Sequence, residues 1–286
     1  MPAADVQVDA PLVERLLREQ HPDLADLPLR VVAEGWDNVV LRLGADLAVR
    51  VPRRVEAAAL VRHEQQVLPG LAGRLPVPVP APVRIGRPGP LHPYGWSVVP
   101  WFDGVTALDA GVRDERLAQG VAAFLRALHR PDPTPPVNPW RGVPLAERDG
   151  EVIRERLTSG LLREPRGLTA VWSDALTAPA HTGPAVRIHG DLHPANLIVR
   201  DGALTAVLDF GDTTTGDPAT DLAVAWLAFG REGRAALLAD LAPDPATVRR
   251  ARGWALVMAT ALVTSSSPDT AMTRLGEDAL REVLSD

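Results

Sequence analysis

The sequence predicts an α+β fold of two lobes, a small antiparallel sheet followed by a mostly helical part that carries one short hairpin. Three observations predict it. Between Val31 and Pro52 short extended runs are broken at Gly35 to Asn38 and at Gly44 to Asp46, as in strands joined by tight turns. From Leu117 onward, apolar residues recur mainly at helical spacing. Between the two patterns, Pro100-Trp101-Phe102-Asp103-Gly104 interrupts both. We therefore expect lobes at residues 1–100 and 101–286, joined at about 98–104. A chain of 286 residues with 46% hydrophobic content can build the core that such lobes need.

The elements follow in order. Asp9 is suited to cap a first helix reaching about Gln20, with Pro11 in its first turn and Leu12, Leu16 and Leu17 facing inward. Three antiparallel strands are expected up to Pro52, then a helix over 55–68 with Ala59, Leu60, Val67 and Leu68 on its apolar face. Alternating valine and proline in 75–82 excludes helix, because proline fixes its own φ and restricts the residue before it. That connector should lead to an edge strand, and Trp96 to Val99 to another strand. Leu117, Val121, Phe124, Leu125 and Leu128 mark a helix that ends at the proline cluster 131–139. Further helices are expected at 145–158, 168–178, 218–229, 231–241, 245–264 and 270–284.

Composition removes several classes of function. The chain has no cysteine, which excludes disulfides, zinc thiolates and a cysteine nucleophile and makes the cytoplasm the expected compartment. The opening Met-Pro-Ala-Ala-Asp lacks the basic and apolar regions of a signal peptide, and no apolar run approaches the ~18 residues of a membrane helix. A net charge of −6 without a basic, aromatic-interleaved block gives no nucleic-acid surface. All 30 basic residues are arginine, so a phosphate loop ending in Gly-Lys-Ser/Thr cannot exist. Neither the Gly-x-Ser-x-Gly elbow nor the His-Glu-x-x-His helix of hydrolases occurs. Oligomeric state is not legible.

The chemistry gathers between Ile188 and Phe210, where Asn196 follows Asp191 by five residues and Asp209 follows it by 18. Phosphoryl transfer needs an oriented hydroxyl and a cation to offset phosphate charge, and these side chains are of the right kind. Asp191, in a His-Gly-Asp turn, is the candidate base. Asn196 and Asp209 carry the hard oxygens that Mg²⁺ takes. Leu197 to Val199 and Ala206 to Leu208, around Asp201-Gly202, form the hairpin expected to return Asp209 beside Asn196. His189 is expected to brace the turn, and His193 either to do the same or to touch substrate or phosphate. Gly190 and Pro194 exclude the single helix on which the two histidines could share a zinc ion.

His-Gly-Asp-Leu-His-Pro-Ala-Asn, Leu-Asp-Phe-Gly-Asp and Gly216-Asp217-Pro218-Ala219-Thr220-Asp221 together resemble the signature of the aminoglycoside phosphotransferase family, small-molecule kinases with a protein-kinase-like fold. The resemblance runs from about Ala33 to Leu256. It implies Asp191 as base, Asn196 and Asp209 as Mg²⁺ ligands, ATP or GTP as donor, and Asp217 and Asp221 as buried braces of the loop. It also implies that Arg50 stands where the family has a phosphate-binding lysine, with Glu64 as its helix partner. Gly35 and Asn38 fall in the nucleotide-covering turn, which is not glycine-rich here, and Val99 and Trp101 in the connector whose backbone meets the base. The acceptor is a small hydroxyl-bearing molecule, with aminoglycosides, macrolides, choline-like amines, sugars and amino acids all open. A catalytically silent nucleotide-binding protein is the reading that Arg50 leaves open. For a polycation, Asp212, Asp217, Glu232, Asp269, Glu277 and Asp278 are candidate contacts. For a less polar acceptor, Trp140, Trp172, Trp226 and Trp254 are candidates, each weighed against packing in the core.

Overall fold

The structure, a computed structural model, describes residues 4–135, 137–148 and 150–286. Residues 1–3, 136 of the proline cluster and 149 of the expected helix 145–158 lie outside them. The chain divides into two units, Met1–Asp103 with Val207–Gly211, and Gly104–Ala206 with Asp212–Asp286.

The first unit is a five-stranded antiparallel sheet with two helices. Helix α1 (Ala10–Gln20) begins where the Asp9 carboxylate accepts the Leu12 N–H at 2.9 Å. Strands β1 (Leu29–Glu34), β2 (Asn38–Leu43) and β3 (Leu47–Pro52) form the expected meander, helix α2 (Val55–Leu71) follows, and β4 (Arg84–Gly86) and β5 (Trp96–Pro100) complete the order β1-β2-β3-β5-β4. Leu12, Val13, Leu16 and Leu17 of α1 pack on Val39, Leu41, Leu43, Val49, Val51, Trp96 and Val98 of the sheet. Strand β4 is therefore an edge, as its proline-rich approach suggests. At Gly86 the Trp96 ring occupies the space of a Cβ, which explains the glycine in so short a strand.

The second unit is mainly helical. It opens with strand β6 (Val105–Thr106) and helices α3 (Ala107–Ala110), α4 (Glu115–Leu128), α5 (Gly150–Thr158) and α6 (Pro165–Leu176). Strands β7 (Val186–Ile188), β8 (Leu197–Arg200), β9 (Ala203–Val207) and β10 (Thr214–Gly216) follow, then α7 (Ala219–Leu222), α8 (Val224–Leu227), α9 (Arg231–Leu241), α10 (Pro245–Ser265) and α11 (Ala271–Leu284). Asp114, Asp244 and Thr270 cap α4, α10 and α11 with their side chains. β8 and β9 form the expected hairpin, with β6 added on the β8 side, and β10 pairs with β7.

Two expected helices take a different form. The 218–229 segment is two short helices, because at their junction Trp226 N–H turns to Ala223 O, three residues back, at 3.0 Å. The 145–158 segment opens as a 3₁₀ turn at Leu145–Glu147 before α5. β6, α3, β7 and β10 were not expected; at two to four residues each they are too short for a period to register. No helix among the described residues is long and apolar enough to cross a membrane.

Candidate active site

The loop after β7 is built around Asp191. Gly190 sits at φ +89°, and a Cβ there would come within 2.5 Å of the Asp212 carbonyl oxygen, so only glycine fits. The fully buried Asp221 carboxylate accepts the N–H groups of His189 and Gly190, each at 2.8 Å, and lies 2.9 Å from His129 Nε2. Burial works to raise the Asp221 pKa, but His129 with His189 and these N–H donors outweighs it and the carboxyl is held below its ordinary value. His189 Nδ1 accepts the Asp191 N–H at 3.2 Å, the bracing expected of it. Asp217 holds the next turn through a buried ion pair with Arg250 at 2.7 Å.

This arrangement leaves the Asp191 side chain 30% exposed. His193 Nε2 lies 3.4 Å from one of its oxygens and Arg141 3.3 Å from the other. Burial alone would raise its pKa; His193, Arg141 and His189 outweigh that, and the carboxyl is held well below the usual carboxylate range. Asn196 donates its amide N–H to the Asp191 carbonyl at 2.9 Å, with His193 Nε2 3.3 Å from the same nitrogen. The nitrogen end of that amide is thus committed to the loop, and its oxygen is left for a ligand. Among the described residues no group of three or more His, Asp or Glu side chains converges as a metal site. A cation here would complete its shell with nucleotide and water oxygens, which suits Mg²⁺.

If the Asp221 clamp organises the loop, Asp221→Ala should destabilise the protein by about 3–5 kcal/mol, the cost of breaking a buried charge network. Urea unfolding measures this, and a loss below about 1 kcal/mol would show that the loop holds without it.

In the first unit a second cluster forms on Glu64 of α2. Arg50 Nη1 donates to both Glu64 oxygens at 2.8 Å, and Arg50 Nη2 to Asp209 at 3.3 Å. Glu64 also accepts the Phe210 N–H at 2.8 Å. Burial would lower the Arg50 pKa, but Glu64 and Asp209 outweigh it and raise it. Asp209 itself holds φ +62°, a conformation rare for a residue with a side chain, with its carboxylate half exposed. In the turn between β1 and β2, Gly35 N–H closes on Asn38 O at 2.9 Å and is not free to meet a phosphate. Arg53 pairs with Glu34, Arg54 pairs with Asp37, each at 2.6 Å, and Asn38 Oδ1 is buried without a partner. Trp101 donates its backbone N–H to Asp46 O at 2.8 Å, and Val99 is buried opposite Ala48.

Several residues of these clusters escape sequence reasoning. His129 ends α4, and Arg250 hides in the apolar run of α10, where its spacing of three from Thr247 and four from the buried Trp254 is the one clue that it faces inward. Arg141 lies in a proline-rich loop with no period. That loop is nevertheless pinned: Asn138 Nδ2 donates to Asp212 at 2.5 Å, Gly142 N–H to Thr220 Oγ1 at 3.2 Å, and Asp217 N–H to Gly142 O at 2.9 Å.

A five-stranded antiparallel sheet followed by a helical lobe with this hairpin is the protein-kinase-like fold of small-molecule phosphotransferases. Solved structures share it. The GDP complex of wild-type aminoglycoside 2'-phosphotransferase-IIIa is 21% identical over 97% of this chain and 99% of that one, with a TM-score of 0.75. Macrolide 2'-phosphotransferase MphH from Brachybacterium faecium is 22% identical over 95% and 97%, with a TM-score of 0.64. The streptomycin-ATP-APH(2")-IIa ternary complex is 19% identical over 98% and 97%, also at 0.64. No curated protein sequence matches the chain. The phosphotransferase enzyme family model matches residues 28–254, well over half the chain, and the chain belongs to that family.

Proposed function

We propose that this phosphotransferase moves the γ-phosphate of ATP or GTP to a hydroxyl of a small molecule, with Asp191 as base. The observation that carries the proposal is the loop that holds Asp191 ionised and partly exposed while Asp221 fixes its backbone. A carboxylate of so low a pKa orients the hydroxyl and takes its proton late, as the oxygen bonds to phosphorus. The bond from phosphorus to the β–γ bridging oxygen breaks, and its electron pair leaves on the nucleoside diphosphate. Asn196 and Asp209 would hold Mg²⁺, which when bound offsets the phosphate charge. Arg50, fixed by Glu64, would contact the α- and β-phosphates, and the connector at Val99 and Trp101 the base. With Gly35 closed on its own turn, Asn38 is the stronger candidate to meet the nucleotide there. An intact Arg50 to Glu64 pair favours an active enzyme over a silent binder. The cysteine-free composition suits the cytoplasm.

The test is a thermal-shift titration with ATP and GTP, with and without Mg²⁺, alongside assay of ADP or GDP release. The expected result is a Mg²⁺-dependent shift and turnover that Asp209→Ala abolishes. Turnover indifferent to Mg²⁺ or to that substitution would overturn the metal assignment.

A further inference from the structure

Three arginines of the second unit lie near Asp191 and the Trp254 segment of α10. Arg141 places one guanidinium against two carboxylates, Asp191 at 3.3 Å and Asp212 at 3.8 Å, and its Nε is buried without a hydrogen-bond partner. Arg148 stacks over the rings of Trp140 and Trp254, 5.5 and 5.6 Å from their centroids. Arg156 of α5 makes one long hydrogen bond, 3.4 Å to Val257 O, one turn along α10 from Trp254, and has no ion pair among the described residues. Burial, and then the charge of Arg141, lower the Arg156 pKa, so the two guanidinium groups feel each other. Arg156 is half-buried near a second cation with no carboxylate of its own among the described residues, which is costly, and a bound anion relieves that cost.

Three of the six acids that might have drawn a polycation are already engaged. Asp212 faces Arg141 and Asn138, Asp217 is locked to Arg250, and Asp278 pairs with Arg281 and lies 3.9 Å from Arg113. Trp172, Trp226 and Trp254 are buried core residues, while Trp140 is exposed beside Arg141.

We infer that the acceptor carries an anionic group, a carboxylate or a phosphate, beside its hydroxyl, and that Arg141 and Arg156 bind it. The inference rests on the kinase reading for the word acceptor, but the anion site stands on its own geometry. An incoming anion competes with Asp191 for Arg141, so binding would free the base as the hydroxyl arrives. Arg141 is in this sense a positioning residue, and Arg156 sets specificity.

The experiment uses the full chain, saturated with Mg²⁺ and a non-hydrolysable ATP or GTP analogue so that phosphate-binding groups for the nucleotide are filled. Glycerol, glycerate and glycerol 3-phosphate share a skeleton and differ in charge; streptomycin is the polycation. Titration calorimetry should show at least one of the two anions binding tighter than glycerol and streptomycin, and which one identifies carboxylate or phosphate. Arg156→Gln should weaken that anion about 10–100-fold, the worth of one charge-assisted hydrogen bond, and Arg156→Lys should restore part of it. Streptomycin binding tighter than both anions, no preference for either anion over glycerol, or an anion affinity indifferent to Arg156→Gln would overturn the inference. The nucleotide is titrated first, so failure of the kinase reading appears as loss of that step and leaves the anion result legible without it.

Discussion

Asp191→Asn is expected to lower turnover by about 10²–10⁴-fold, the usual range for a positioned acid or base, while nucleotide affinity changes little. The substitution preserves the shape of the side chain and removes its charge. Arg141 and His193 then lose the carboxylate they face at 3.3 and 3.4 Å, so both side chains should turn toward other partners. The Asp221 clamp acts on the N–H groups of His189 and Gly190 and does not depend on the Asp191 carboxylate, so the loop should keep its path. Single-turnover rates with saturating nucleotide, together with a thermal-shift titration of ATP or GTP, separate chemistry from binding. Turnover within threefold of the parent would remove Asp191 from the role of base, and an equal loss of nucleotide affinity would make it structural.

The sequence carried the three-strand meander of the sheet lobe and the spacing of Asp191, Asn196 and Asp209 because both are local patterns. Turn residues break the three strands between Val31 and Pro52, and the 55–68 spacing marks α2 to within its last turn. What it did not carry is contact between residues far apart in the chain. Arg141 lies 50 residues before Asp191, and Arg250 lies 33 after Asp217, with no periodic signal linking either pair. The acidic residues considered for a polycation illustrate the same limit. An aspartate reads alike in sequence whether it faces water, as a free ligand would, or lies fully paired to arginine, as Asp217 does. Backbone closure is equally hidden: Gly35 looks available in the sequence, yet its N–H is consumed within its own turn.

Glu64→Ala should destabilise the protein by about 3–5 kcal/mol and weaken nucleotide binding in the same variant. Glu64 serves two elements at once. It takes both bonds of one Arg50 nitrogen and also the Phe210 N–H, so it ties strand β3 and the Asp209 segment to helix α2. Removing it leaves a half-buried guanidinium with Asp209 as its remaining carboxylate and takes the Glu64 acceptor away from the Phe210 N–H. Arg50 would then swing toward Asp209, taking the oxygen proposed for the cation. The Glu64→Gln protein isolates the charge, since its amide oxygen can still accept the Phe210 N–H; it should recover part of the stability and little of the nucleotide affinity. Arg50→Lys tests the same bridge from its other side. A single ammonium on a shorter head cannot span Glu64 and Asp209 as the two nitrogens of the guanidinium do, so the lysine that suits other phosphate sites should here bind nucleotide more weakly than arginine. Urea midpoints and nucleotide titrations on the three variants decide the matter. A lysine variant that binds nucleotide more tightly than the parent would mean that Arg50 is merely tolerated at this position. Weaker binding with Glu64 still paired would mean that the arginine's fork is part of how this site is built.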